Sequence, residues 1–234
     1  MKKAFCMIAL LVLALPLSRK APAQAAGQDS GQEGTPSQGP APSLDDQFLT
    51  AVQTGDAAAV ADLLQKGANI EALGKGGFTG LIAASAMKHV DVVQLLLSKG
   101  AKLDTRDERG DTALHYAVMV SNLEEVKMLL AKDANVNIGE KDGLTPLMLS
   151  IVSGTPEIVK LLLDKGAKTE ARDSHGYTAL MAASGGGLID LVKLLLAKGA
   201  NVNTKSDDGT TPLILAEKNG KTEVAALLRE KGAH

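Results

Sequence analysis

The 234-residue chain has no tryptophan, two tyrosines and three phenylalanines, so aromatic residues make up 2% of it. A core without large rings must be filled by Leu, Val, Ile and Ala. That filling disfavours β-sandwiches and barrels, whose strands draw on aromatic and β-branched side chains. It suits helices, where Leu and Ala rank high in intrinsic propensity. Cysteine is nearly missing as well. The lone Cys6 excludes an intramolecular disulfide framework and a cysteine-rich zinc site. No excess of positive charge exists: 25 basic residues face 27 acidic ones, for a net charge of −2. Such a chain does not capture nucleic acid through its overall field.

Long hydrophobic runs are also scarce. Residues 4–17 form an apolar stretch of about a dozen apolar side chains, too few to span a bilayer comfortably. Met1-Lys2-Lys3 precedes it, and Ala21-Pro22-Ala23-Gln24-Ala25-Ala26 follows it. A positive start, an apolar middle and a small-residue end are the layout of a secretory signal peptide. We expect residues 1–25 to be that signal, with cleavage near residues 23–26 and delivery to a periplasm or the exterior. Arg19 and Lys20 before the cleavage site are atypical, and an uncleaved anchor is the alternative. Cys6 opens the apolar run and is badly placed for lipoprotein processing. Cleavage removes Lys2, Lys3, Arg19 and Lys20 and no acid, taking the net charge from −2 to −6 and leaving no cysteine. A thiol-free chain suits an oxidising compartment. Residues 26–43 read AGQDSGQEGTPSQGPAPS. They cannot bury enough apolar surface to offset their ordering entropy, and we expect a disordered spacer there.

From residue 44 onward a period governs the chain. Gly77, Gly110, Gly143, Gly176 and Gly209 lie 33 residues apart. Two places after each stands Thr79, Thr112, Thr145, Thr178 or Thr211, and two further on Leu81, Leu114, Leu147, Leu180 or Leu213. Gly67, Gly100, Gly166, Gly199 and Gly232 keep the same step, with Asp133 in the missing place. Self-similarity at this period is the mark of stacked repeats.

The motifs TALHYA at 112–117, TPLMLS at 145–150, TALMAA at 178–183 and TPLILA at 211–216 resemble the T-P-L-H-x-A signature of the ankyrin repeat family. TGLIAA at 79–84 is its weakest copy. The segments VVQLLLSKGA, IVKLLLDKGA and LVKLLLAKGA resemble the family's second signature. The likeness covers 44–234. It implies an all-α solenoid of six stacked helix-turn-helix units joined by short β-hairpin-like turns. The repeats would run 44–73, 74–106, 107–139, 140–172, 173–205 and 206–234.

Residue chemistry agrees with that unit. Each Thr precedes an apolar run, as a helix start should. Pro146 and Pro212 fall in the first turn, where a missing N–H costs little. A first helix of about nine residues is expected, then a turn often holding Gly (Gly154, Gly187, Gly220). A second helix follows, opened by Pro156-Glu157 in the fourth repeat and carrying a Leu triplet such as Leu95-Leu96-Leu97. Lys-Gly ends it: Lys complements the helix dipole and Gly takes a left-handed conformation. The first repeat keeps its helix pair, expected at 44–54 and 57–66, without the Gly-x-Thr turn. The final helix, expected at 223–231, carries a charged outer side. Asp133 at a Gly place predicts strain that Asp133→Gly relieves.

Candidate chemistry is thin. His89, His115, His175 and His234 show no metal-ligand spacing, and His115 falls on the family's motif histidine, which braces neighbouring turns. Gly185-Gly186-Gly187 follows no strand and carries no Lys-Ser/Thr, so it is no phosphate loop. It marks either a loose turn or a place of close partner approach. The pairs Asp45-Asp46, Glu124-Glu125 and Asp207-Asp208 read as helix-start and turn acids. No catalytic set, metal or cofactor is expected.

The family resemblance implies that a partner touches the hairpin tips and the exposed side of the first helices. In the 33-residue register, the candidate tip residues are Phe78, Arg109, Asp111, Leu144, His175 and Tyr177. The candidate helix residues are Met87, Met119, Val120 and Val152. Aromatic and methionine side chains there suit an adaptable protein contact. The alternative is that some fold inward against the next repeat. The expected role is a non-enzymatic, exported scaffold that binds one or more proteins and works as a monomer, with no nucleic acid and no stable membrane insertion. A dedicated chaperone or inhibitor of a co-exported enzyme, or a secreted effector binding host proteins, is the alternative.

Overall fold

The computed structural model describes residues 41–234. The expected export signal, and all of the spacer before residue 41, lie outside the described residues.

The described chain folds into helix pairs: α1 (Leu44–Thr54) and α2 (Ala57–Gln65), α3 (Gly80–Ala86) and α4 (Val90–Ser98), α5 (Ala113–Met119) and α6 (Leu123–Ala131). They continue with α7 (Pro146–Val152) and α8 (Pro156–Asp164), α9 (Ala179–Gly186) and α10 (Ile189–Ala197), α11 (Pro212–Lys218) and α12 (Thr222–Glu230). Among the described residues there is no strand, and one short 3-10 turn spans Lys75–Gly77.

Threonine starts the first helices by a direct bond. The hydroxyls of Thr79, Thr145, Thr178 and Thr211 accept the N–H groups of Ile82, Met148, Met181 and Ile214 at 3.2–3.4 Å. Each satisfies one of the amides that a helix start leaves unpaired. Pro opens α7, α8 and α11. The first helices are shorter than expected, seven residues in α3, α5, α7 and α11 and eight in α9. A left-handed residue stops the helix early: Gly154, Gly187 and Gly220 have φ of +66°, +74° and +65°. The second helices end at Gly67, Gly100, Gly166, Gly199 and Gly232, also left-handed. Asp133 takes the same conformation at φ +65°.

Neither helix of a pair can bury its apolar stripe alone, so successive pairs stack. First helices pack in the order α1, α3, α5, α7, α9, α11, and second helices in the order α2, α4, α6, α8, α10, α12. Leu96, Leu129, Leu162, Leu195 and Leu228, one in each repeat from the second to the sixth, have no exposed surface. They form a continuous aliphatic row through the second layer, which explains how the fold dispenses with tryptophan.

Two ladders of hydrogen bonds tie each repeat to the next. At the tips, the N–H groups of Glu108, Lys141, Ser174 and Asp207 donate to the carbonyls of Gly76, Arg109, Asp142 and His175 at 2.7–3.1 Å. Gly143 is needed there twice over: its φ is +80°, and a Cβ would lie 2.9 Å from Asp173 Cα in the next tip. At the opposite loops, Glu71, Asp104, Asn137, Glu170 and Asn203 accept the N–H groups of Lys102, Asn135, Lys168, Asn201 and His234 at 2.8–3.2 Å. The two ladders satisfy loop amides that helices cannot reach.

Candidate partner-binding surface

The stacked first helices and the tips place the candidate residues in one register, but with unequal exposure. Val152 at the end of α7 is 45% exposed. Met87 and Val120, which cap α3 and α5, and Met119 are half-buried. Since α3, α5 and α7 pack side by side, these four form a short apolar line across the second to fourth repeats. Arg109 and His175 are exposed at their tips. The His175 backbone is committed to the fold, its N–H donating to Asp173 Oδ1 at 2.9 Å and its carbonyl accepting from Asp207.

Phe78, Leu144 and Tyr177 are half-buried rather than free. Phe78 packs on the core, its ring centroid 5.3 Å from that of Tyr116 at a 49° tilt. Part of its apolar surface therefore joins two repeats. Asp111 departs furthest from a tip contact, being 2% exposed. It sits beside Asp107, whose Oδ1 accepts the N–H groups of Arg109 and Asp111 at 2.8 and 2.9 Å. Tyr116 donates its hydroxyl to Asp107 Oδ2 at 2.7 Å. Burial, and then the charge of Asp107, push the Asp111 carboxyl up to about 6, against the pull of Arg109. Burial and the bond to Asp107 likewise raise the Tyr116 phenol above its ordinary range. Asp111 is an inward group, because its carboxylate lies where the other repeats place Phe78, Leu144, Tyr177 and Thr210.

His115 braces the start of its own helix. The Thr112 N–H donates to its Nδ1 at 3.1 Å, so Nε2 carries the proton and, completing no hydrogen bond, faces the Ile138 and Leu144 backbone of the next turn. Burial lowers its pKa to about 4, which keeps the ring neutral. His89 sits 3.0 Å from the Gln53 carbonyl through Nε2. Within the glycine run Gly185 is buried, its carbonyl accepting from Asn219 Nδ2 at 2.9 Å, while Gly186 is exposed. A partner backbone does not reach Gly185.

The acid pairs divide. Asp45 accepts the Asn69 N–H at 2.7 Å, and Asp207 pairs with Arg172 at 3.1 Å. The Asp208 carboxylate, accepting from the Ser206 hydroxyl and the Thr210 N–H, is lowered to about 2. Glu125 is different. It stands in the first turn of α6, as a helix-start acid should, but its side chain has no exposed surface. The signal was present in the register: its places in the other repeats hold Val92, Ile158, Leu191 and Val224.

Among the described residues no group of three His, Cys, Asp or Glu could hold a metal ion. No helix of the described residues is long and apolar enough to cross a membrane. A depression of about 230 Å³ between the third and fourth repeats is lined by residues including Leu130, Asp133, Val136 and Lys165. It is smaller than the ~300 Å³ at which ordinary small-ligand sites begin.

A layered stack of short helix pairs defines a repeat solenoid. Models of ankyrin repeats match residues 63–117 and, in three overlapping copies, 102–173, 122–206 and 169–234. The chain belongs to the ankyrin repeat family. It is similar to the crystal structure of the ankyrin repeat domain of Bcl-3, described as a unique member of the IkappaB protein family. The two are 32% identical, the match covers 80% of this chain and 86% of that one, and the TM-score is 0.72. Comparison with curated proteins finds no match. Ankyrin repeats are protein–protein interaction modules.

Proposed function

We propose that this protein is an exported, non-enzymatic scaffold that binds a partner protein across its second to fourth repeats. The observation that carries the reading is the apolar line Met87, Met119, Val120 and Val152 on adjacent first helices. Partly exposed apolar groups in register across a braced stack offer surface to a partner at little ordering cost. Arg109 and His175 flank that line with polar contacts. The expected leader supports export, and the lack of cysteine after residue 6 fits an oxidising compartment. The protein acts as a monomer, and the partner supplies any chemistry.

The test is capture from an exported fraction with wild-type protein and a Met119→Ser, Val152→Ser variant. One strong prey lost in a variant of unchanged melting temperature supports the surface. Equal capture by both proteins removes it. Export is tested separately, by mass spectrometry of the N-terminus of the natural protein. A terminus near residues 24–27 supports cleavage, and an intact Met1 in the cytoplasm overturns it.

A further inference from the structure

The third repeat carries polar groups where the others are apolar. Glu125 lies in α6, three residues after its cap Asn122, in the column of Val92, Ile158, Leu191 and Val224. One carboxylate oxygen accepts from Asn122 Nδ2 at 3.1 Å, and the other has no hydrogen-bond partner. Ser85 of α3, also without exposed surface, faces it across the repeat boundary, and its hydroxyl completes no bond of ordinary geometry. An ionised carboxylate in such a place loses its hydration and finds no counter-charge.

No charge on the surrounding helices compensates. The α3 segment has no ionisable side chain, and α5 has only the neutral His115 and Tyr116. On α4 and α8 the charged residues are Asp91, Glu157, Lys160 and Asp164, and on α6 itself they are Glu124 and Lys127, all of them exposed. His89, at the start of α4, is turned to the Gln53 carbonyl. The only groups that act on the carboxyl besides burial are Ser85 and Asn122. Burial outweighs them and pushes Glu125 up to about 7.

The two repeats that meet here also carry strained turns. Left-handed residues recur at the turn inside each repeat and at the end of each second helix. All are glycine except Lys88, Ser121 and Asp133, which have φ of +61°, +55° and +65°. These three stand in the second and third repeats, on either side of Glu125. A side chain is disfavoured in that conformation.

We propose that the boundary between the second and third repeats is a pH-responsive hinge, closed while the Glu125 carboxyl carries its proton and loosened when it ionises. The sign follows from linkage. The stabilisation is complete below pH 4.5 and is lost as pH rises towards 7. Asp111, raised to about 6, acts in the same direction. His115, lowered to about 4, acts in the opposite one, its contribution growing from pH 4 to 6.5. Wild-type stability alone therefore blends three titrations, and the difference between wild type and Glu125→Gln isolates one. The proposed binding line crosses this hinge at Met87 and Met119, but the hinge itself does not depend on that line binding anything.

Amide hydrogen exchange of the full chain at pH 5, 6, 7 and 8, corrected for intrinsic rates, tests the hinge in wild type and Glu125→Gln. In the wild type, α3 and α6 should lose protection relative to the variant on the order of a hundredfold between pH 5 and 8. In α11 and α12 the two proteins should stay alike. Equal pH profiles in α3 and α6, or a loss shared equally by α11 and α12, would overturn the proposal. If the variant does not fold, carbon-13 titration of the wild-type Glu125 carboxyl decides. A midpoint near 7 supports the hinge, and one near 4.5 removes it.

Discussion

The third and fourth repeats have the same helices in the same places, yet they are filled differently. The fourth buries Met148, Leu149, Ile151 and Ile158 and turns through Gly154 and Gly166. The third has His115, Tyr116, Val118 and Glu125 in the matching places and turns through Ser121 and Asp133. Five of those six exchanges put a polar group or a strained residue where its neighbour has neither. A solenoid tolerates this because each repeat contacts only its neighbours, so a local cost stays local. The lesson is that an array of equal backbones need not be an array of equal stabilities.

Moving the difference is the most demanding test. Ile158→Glu would give the fourth repeat the third repeat's buried acid without Asn122 to receive it. We expect a loss of about 3–5 kcal/mol at pH 8, read by urea unfolding. A loss below 1 kcal/mol would mean that the column is wetter than its burial shows. Erasing the difference is the converse experiment. Glu125→Leu should gain about 2 kcal/mol at pH 8 and less at pH 4.5, where the wild-type carboxyl is already neutral. A gain independent of pH would assign the effect to packing alone.

Backbone relief comes next in size. Asp133→Gly and Ser121→Gly should each stabilise by about 0.5–1 kcal/mol, since both residues already hold a left-handed conformation. Gly166→Asp, the mirror substitution in the fourth repeat, should cost a similar amount. A lower melting temperature for Asp133→Gly would show that its side chain makes up for the strain. The smallest effect should come from the surface. Asp207→Asn breaks the ion pair with Arg172 between exposed groups and should change stability by less than about 1 kcal/mol. A larger effect would mean that the tip ladder, not the ion pair, had been disturbed.

Much of the architecture was legible in the residues, for reasons specific to repeats. Gly143 and its partners mark the turns, Thr145 and its partners mark the helix starts, and Leu162 and its partners mark the core. Each signal is read five times, so chance is averaged away. Element ends were less legible. The first helices are seven or eight residues instead of about nine, because a left-handed residue stops them before the apolar pattern runs out. The candidate surface was legible only as positions. Phe78, Asp111 and Val152 are all assigned to it by register, but one stacks on Tyr116, one is buried beside Asp107, and one is open to solvent.

The sequence by itself determined the period, the helix pairs and the aliphatic filling, because caps, turns and apolar spacing act within a few residues of each other. Which side of a repeat is covered was decided only by stacking. Asp45 and Asp111 look alike in the chain. One accepts a loop amide at the surface, and the other is sealed beneath the next turn. The same holds for Glu124 and Glu125, adjacent on one helix but one exposed and one buried. A helix turns about 100° per residue, so neighbours in sequence face different environments. The repeat packed alongside determines which of the two loses its water.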